Sequence, residues 1–246
     1  MKQHAMPQFD LFIRSAVLKR EQVDEWGAYP FCLPVVRTLE KLDFRSRVTF
    51  LVGENGTGKS TLLEAIAVNY GFNPEGGSKN FNFSTYETHS PLGDFLTLWK
   101  GPYRAEDGFF LRAESFYNVA SEVDRLALWE SYGGSLHRQS HGESFMSLLM
   151  NRFRGKGIYL LDEPEAALSP MRQLAMMARM RDLVEDGSQF IIATHSPILL
   201  GYPGADILVL GEDGPVLTPY EETEHYTLTR AFLQHPQRIL DELFRE

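Results

Sequence analysis

Eight residues carry the first legible chemistry: Gly53-Glu54-Asn55-Gly56-Thr57-Gly58-Lys59-Ser60, with Thr61 next in the chain. Three glycines let the backbone fold tightly around an anion, so that successive N–H groups point at one phosphate. Lys59 would reach the β- and γ-phosphates of a nucleotide, and the Ser60 hydroxyl would ligate Mg²⁺. Gly-x-x-x-x-Gly-Lys-Ser means a phosphate loop only when a strand precedes it and a helix follows. Both are expected here. Val48 to Val52 is a β-branched, apolar run that predicts a buried strand. Leu62, Leu63, Ile66 and Ala67 at helical spacing predict a helix to Tyr70, ended by Gly71. A glycine turn with no ligand is the competing explanation, and the complete motif with both flanks argues against it. The helix beginning near Lys59 adds its positive end to the site.

A second group of residues supplies what a phosphate loop lacks. The apolar run Gly157 to Leu161 leads into Asp162-Glu163, and Pro164 stops the strand. Side chains alternate along a strand, so two adjacent carboxylates can take different tasks. Asp162 would hold Mg²⁺ through its water shell, and Glu163 would orient and polarise the attacking water. An acidic pair at a strand end is often merely solvated; beside a phosphate loop, the functional reading is preferred. His195 follows the buried run Gln189 to Ala193, at the strand end where an open α/β sheet places its ligand. From there it would hydrogen-bond the γ-phosphate. Ser140-His141-Gly142-Glu143-Ser144 precedes an apolar-periodic helix from Phe145 to Phe153. Serine and glycine there make an N-cap and a second anion site, although capping alone would explain them. The other histidines lack ligand spacing with any cysteine or acid cluster, so no transition-metal site is expected.

The remaining chain must position these groups. Alternation at Leu11, Ile13, Ser15 and Val17 predicts an antiparallel edge strand. Tyr29 to Pro34 carries two prolines and is a poor helix, while Val35 to Leu42 suits a short helix or a strand. Tyr29 or Phe31 would stack on an adenine ring, with plain packing as the commoner use of such aromatics. Asn73 to Ser90, with Phe81, Phe83 and Tyr86, reads as an irregular loop. Phe109 to Arg112 reads as a strand, Asn118 to Trp129 as a helix, and Ser169-Pro170 opens a helix closed by Gly187. Ile207 to Leu210 is a further strand, and Pro236 starts a terminal amphipathic helix.

At 246 residues, 43% hydrophobic and 23% charged, the chain suits one large soluble domain. The single Cys32 cannot form an internal disulfide, and no leader or apolar run of about 20 residues is present. A cytoplasmic protein without a membrane span is therefore expected. The net charge of −9 gives no support to a nucleic-acid partner, unless folding gathers Arg37, Arg45, Arg47, Arg152 and Arg154 on one face.

Taken in order, the phosphate loop, the Ser-His-Gly-Glu segment, Leu-Leu-Asp-Glu-Pro, Ala-Leu-Ser-Pro and Thr-His-Ser-Pro resemble an ATP-binding-cassette (ABC) ATPase. Asp162 to Pro170 with Thr194 to Pro197 is similar to the soluble branch that includes SMC, RecF-like and OLD ATPases. The chain further resembles short stand-alone AAA-type ATPases that share Arg-Ala-Glu-Ser-Phe and a Glu-Glu-Thr-Glu-His-Tyr tail, here Glu221 to Tyr226.

The resemblance implies an α/β P-loop NTPase of ABC-ATPase architecture. It would have a mainly parallel central sheet flanked by helices, antiparallel N-terminal strands and a small helical lobe. One domain would span residues 1–246, with the lobe and signature helix at about 75–155. ATP and Mg²⁺ would be the ligands, and two chains would close head to tail over two ATP molecules. Ser140, Gly142 and Glu143 of one chain would then face the γ-phosphate held by Lys59 of the other. Ala167 to Ser169 would couple the two sites. The signature departs from the common pattern at His141 and Glu143. The glutamine that the family places after the Phe109–Leu111 strand is not evident; Glu114 is the nearest candidate for its metal and water contact.

The implied function is an ATP-driven switch or motor acting on an unidentified partner, in DNA repair or phage defence. The alternatives are the nucleotide-binding subunit of a membrane transporter and a non-hydrolysing ATP sensor, the latter opposed by an intact Glu163. The stretch from Thr61 to Gln139 is too short for long coiled-coil arms, and no Asn-Lys-x-Asp sequence for guanine appears.

Overall fold

The computed structural model describes residues 10–79, 90–112, 121 and 140–245. The expected helix over Asn118–Trp129, the aromatics Phe81, Phe83 and Tyr86, and Glu114 lie outside the described residues.

The core is a six-stranded sheet in the order β5-β6-β7-β3-β8-β9. Its strands are β3 (Val48–Val52), β5 (Asp107–Arg112), β6 (Gly157–Asp162), β7 (Gln189–Ala193), β8 (Asp206–Gly211) and β9 (Gly214–Leu217). All neighbours pair parallel except β8 with β9, which form a hairpin. Parallel strands covered on both faces read as continuous apolar runs rather than alternations. Every residue of β3, β6 and β7 is buried accordingly.

Alternation decides which face each side chain serves. Leu51, Ile158, Leu160, Ile191 and Ala193 join one core, which includes Leu62, Leu63 and Ile66 of helix α2 (Lys59–Tyr70). Phe50, Tyr159, Leu161, Phe190 and Ile192 join the other. There they pack with Phe145 and Leu148 of α3 (His141–Asn151) and with Met176, Met180 and Leu183 of α4 (Pro170–Glu185). The short α1 (Pro34–Thr38) precedes the phosphate-loop strand β3, and α5 (Pro197–Leu200) follows β7. Helices α6 (Glu224–Gln234) and α7 (Pro236–Leu243) end the described chain.

A second, three-stranded antiparallel sheet runs β2-β1-β4, with β1 (Ile13–Leu18), β2 (Lys41–Asp43) and β4 (Leu96–Lys100). The expected edge position of the first strand is corrected here: β1 lies in the middle. Its partners come from distant parts of the chain, which period-2 alternation cannot reveal. The buried Gln189 amide at the start of β7 joins the two sheets. Its Oε1 accepts from Phe12 N and Ile13 N, and its Nε2 donates to Ile13 O at 2.9 Å.

Phe31 packs edge-on against Phe95 and Trp26 inside the core, so it is not available for base stacking. Tyr29 is exposed, with its hydroxyl 3.5 Å from Thr61 Oγ1. Two of the five arginines are held locally, Arg152 by Asp107 at 2.7 Å and Arg47 by Gly187 O at 2.7 Å. Among the described residues, no helix is long and apolar enough to cross a membrane.

Candidate nucleotide site

Three adjacent parallel strands, β6, β7 and β3, present their C-terminal ends on one edge. Asp162 and Leu51 both pair with Ala193 in the register, so all three ends are level, with neighbours about 4.8 Å apart. The loop Gly53–Gly58 leaves β3, Glu163 follows β6, and Thr194-His195 follows β7. Residues more than 130 positions apart in the chain meet here because parallel strands all point one way.

Close packing forces glycine at two loop positions. A Cβ at Gly53 would lie 2.5 Å from Leu210 O; one at Gly58, whose φ is +100°, would lie 2.8 Å from Val35 Cγ1. Thr57 Oγ1 donates to Glu54 O at 2.9 Å and tightens the turn, while Asn55 and Gly56 stay exposed. The buried Lys59 Nζ donates to Gly53 O at 2.7 Å and to Glu54 O at 2.8 Å. Burial lowers its pKa, opposed by the charges of Glu163, Asp162 and Glu165. Ser60 Oγ donates to Asp162 Oδ1 at 3.0 Å. Glu163 adopts left-handed backbone, φ +46°, which a non-glycine residue accepts only where its surroundings enforce it. Its N–H is held by Ala193 O at 2.9 Å.

His195 sits between both strong motifs. Its N–H donates to Glu165 Oε1 at 2.6 Å, and its Nδ1 meets His225 Nε2 at 3.1 Å. Its Nε2 lies 3.7 Å from Glu163 Oε1, is shielded from solvent and has no hydrogen-bond partner among the described residues. Burial, then the charge of Lys59, lowers the His195 pKa; burial, then His195, lowers that of His225. Both shifts favour the neutral ring. Burial raises the Glu165 carboxyl. Ser196 Oγ donates to Gln173 Oε1 at 2.5 Å, and Gln173 Nε2 donates to Leu168 O at 3.1 Å. This buried pair links the residues after His195 to the turn after Glu163.

A cavity of about 1000 Å³ opens between the loop Gly53–Thr57, His195 and helix α6, which contributes His225, Leu228 and Thr229. Ser140, Gly142 and Glu143 do not line it. They form a closed cap on α3: Ser140 Oγ accepts from Glu143 N at 3.4 Å, and Glu143 Oε2 accepts from Ser140 N at 3.0 Å. The Ser140 hydroxyl bond, then its N–H, holds the Glu143 carboxyl below its usual range. Gly142 packs so closely on α4 and the turn after Glu163 that a Cβ would lie 2.6 Å from Ala167 O. His141 lines a smaller cavity of about 130 Å³ with Asp162, Glu163 and Ala167. His141 thus adjoins this chain's own acidic pair, while Ser140, Gly142 and Glu143 lie outside the cavity at its own phosphate loop.

The residues suit a magnesium nucleotide. The loop would be blocked by side chains at Gly53 and Gly58, Lys59 rests on carbonyls it can exchange for phosphate oxygens, and His195 Nε2 is an orphan buried atom. Among the described residues no three His, Cys, Asp or Glu side chains converge on a metal position. Mg²⁺ keeps several waters and takes one or two protein oxygens, which Ser60 and Asp162 would supply.

His225, Glu165 and Gln173 were not singled out from sequence as site residues. Glu165 and Gln173 flank recognisable motifs, but a contact partner 30 residues away leaves no spacing signal. His225 lies in the Glu221–Tyr226 segment, whose shared sequence was its only mark.

Two family models match the chain. "AAA domain" covers residues 28–101, and "AAA domain, putative AbiEii toxin, Type IV TA system" covers residues 144–201. The energy-coupling factor transporter ATP-binding protein EcfA2 of Methanospirillum hungatei is 26% identical over 250 aligned positions, covering 89% of this chain but 60% of that protein. The cobalt import ATP-binding protein CbiO of Salmonella typhi is 28% identical over 230, covering 81% of this chain and 83% of that protein. Among solved structures, cbiO1 from Clostridium perfringens, part of the ABC transporter complex cbiONQ, overlays with a TM-score of 0.47 at 17% identity, covering 92% of this chain and 97% of that one. The matched segments hold the phosphate-loop motif and the acidic pair with His195, and motifs and sheet describe an α/β P-loop NTPase fold similar to AAA/ABC ATPase domains.

Proposed function

We propose that the chain hydrolyses Mg-ATP and that two chains close head to tail over two nucleotides, driving a conformational change in a partner. The observation that carries this reading is the meeting of Lys59, Asp162, Glu163 and His195 at three adjacent strand ends, with His195 Nε2 buried and without a hydrogen-bond partner among the described residues. The amides of Gly53 to Thr61 and the positive end of α2 take the phosphates. Lys59 exchanges the carbonyls of Gly53 and Glu54 for phosphate oxygens. Ser60 and Asp162 would hold Mg²⁺, which when bound neutralises phosphate charge. Glu163 orients the attacking water and accepts its proton, and His195 donates from Nε2 to a γ-phosphate oxygen. Ser140, Gly142 and Glu143 of the second chain complete the site, and Glu114 would supply the remaining metal or water contact.

The named relatives favour the transporter reading over a repair or defence machine. EcfA2 and CbiO are ATP-binding proteins of transport systems, so the partner proposed here is a transporter's membrane component. The cassette would associate with the membrane through that component. An intact Glu163 beside Asp162 opposes the non-hydrolysing sensor.

The test is the solution mass of Glu163→Gln with and without Mg-ATP, beside phosphate release by the unaltered chain. The expected outcome is slow release by the unaltered chain and an ATP-dependent dimer of the variant with turnover abolished. Turnover at the unaltered rate in Glu163→Gln would remove Glu163 from the mechanism, and a monomer with ATP bound would assign the second half-site to a different protein.

A further inference from the structure

Helix α6 brings a second imidazole to the site. His225 lies two positions after the Thr223 cap, and its place is enforced from both sides. Thr223 is buried, accepts from Tyr226 N at 3.3 Å, and donates to Tyr220 O at 2.7 Å. The Tyr220 hydroxyl in turn donates to Pro197 O at 2.7 Å, two residues beyond His195. The segment carrying His225 is thereby tied to the loop carrying His195, and both rings line the phosphate-loop cavity.

A contact between two neutral imidazoles needs one N–H and one bare nitrogen. If His195 Nδ1 were the donor, its Nε2 would be a bare acceptor, buried and only 3.7 Å from the Glu163 carboxylate. Two acceptors would then face each other, and a phosphate oxygen would make a third. If His225 Nε2 is the donor, the proton of His195 sits on Nε2, facing the carboxylate. The second arrangement is electrostatically favoured.

We propose that His225 is a positioning residue for His195: its Nε2–H donates to His195 Nδ1, holds His195 in the Nε2–H tautomer, and aims that N–H at the phosphate. The catalytic part of this inference rests on the ATPase reading above; the tautomer assignment does not. It makes the C-terminal helix part of the nucleotide site, since displacing α6 releases the tautomer that His195 needs.

The test has two arms on the full chain. Long-range ¹H–¹⁵N correlation spectra of the histidine rings without nucleotide should show His195 as the Nε2–H tautomer, and His225→Phe should lose that form. His225→Phe should lower kcat by about tenfold with KM for ATP held within about twofold, as for removal of other groups that orient a functional imidazole. His225→Gln, whose amide nitrogen reaches the place of the imidazole Nε2, should recover most of the rate, which a merely structural role would not predict. An Nδ1–H tautomer of His195 in the unaltered chain overturns the proposal. So does a His225→Gln variant no better than His225→Phe. Absence of phosphate release from the unaltered chain would sink the ATPase reading, while the tautomer spectra would still decide the assignment of His225.

Discussion

Both halves of the proposed composite site are built at helix N-termini, and they are finished in opposite ways. Helix α2 starts from Gly58 in left-handed backbone, with no side-chain cap and no acidic residue in its first turn. Helix α3 starts from Ser140 with a reciprocal capping box and Glu143 in its first turn. A helix N-terminus exposes unpaired amides and a partial positive charge. In α2 no side chain caps those amides among the described residues; in α3 the Glu143 carboxylate takes the Ser140 amide and the Ser140 hydroxyl takes that of Glu143. The phosphate half is therefore preorganised for a ligand from outside, whereas the signature half is internally satisfied. For the signature to meet a γ-phosphate, the Glu143 carboxylate must turn away from the incoming charge. Arg172, 3.5 Å from Glu143 Oε1, is placed to receive it.

The largest expected effect breaks the open half. Lys59→Ala should lower phosphate release by more than about 100-fold, in line with removing one preorganised electrostatic group from a phosphoryl-transfer site. Nucleotide binding, followed by fluorescence of a labelled ATP, should weaken with it; unaltered binding and turnover would mean the open half lies elsewhere.

Next comes the capped half. Ser140→Arg should leave the fold and single-chain nucleotide binding intact while abolishing the ATP-dependent dimer. Loss of the cap costs only about 1 kcal/mol, within reach of the domain's stability. Light scattering with Mg-ATP reads the result, and a normal dimer would remove the signature from the second site.

The smallest effect sharpens the contrast through pH. The histidine pair is faced by Lys59, Glu163, Glu165 and Glu224. Both folded imidazole pKa values lie below the ordinary 6.5, so the unfolded chain binds more protons in that window. The pair's contribution to stability is fully present above about pH 6.5 and is lost as pH falls through the window. Between pH 7 and 5 the melting temperature of the unaltered chain should therefore fall more than that of the double variant His195→Phe, His225→Phe. The difference should amount to about 2–4 °C for each kcal/mol lost. Parallel melting curves would contradict the pair.

Much of the site was legible as local pattern. Gly53 to Ser60 needs its glycines for backbone reasons that act within a few residues, and β3, β6 and β7 announce themselves as apolar runs because both faces are covered. Asp162, Glu163 and His195 could be singled out because each ends such a run. The middle position of β1 could not be, since strand pairing is a contact at long sequence separation. Packing was already the preferred use of Phe31, but its neighbours Trp26 and Phe95 are brought to it only by the fold.

The sequence by itself therefore determined the elements and the chemical types: a phosphate loop between strand and helix, an acidic pair at one strand end and a histidine at another. Only the tertiary structure decided how they meet. The level register of β6, β7 and β3 sets Asp162 against Ser60 and His195 beside Glu163. The return of the chain through Tyr220 and Thr223 places His225 on His195. Backbone conformation is governed by neighbours along the chain and leaves its mark in residue spacing. The hydrogen bond between His195 and His225 is governed by neighbours in space, and its strength and direction depend on burial that no stretch of sequence displays.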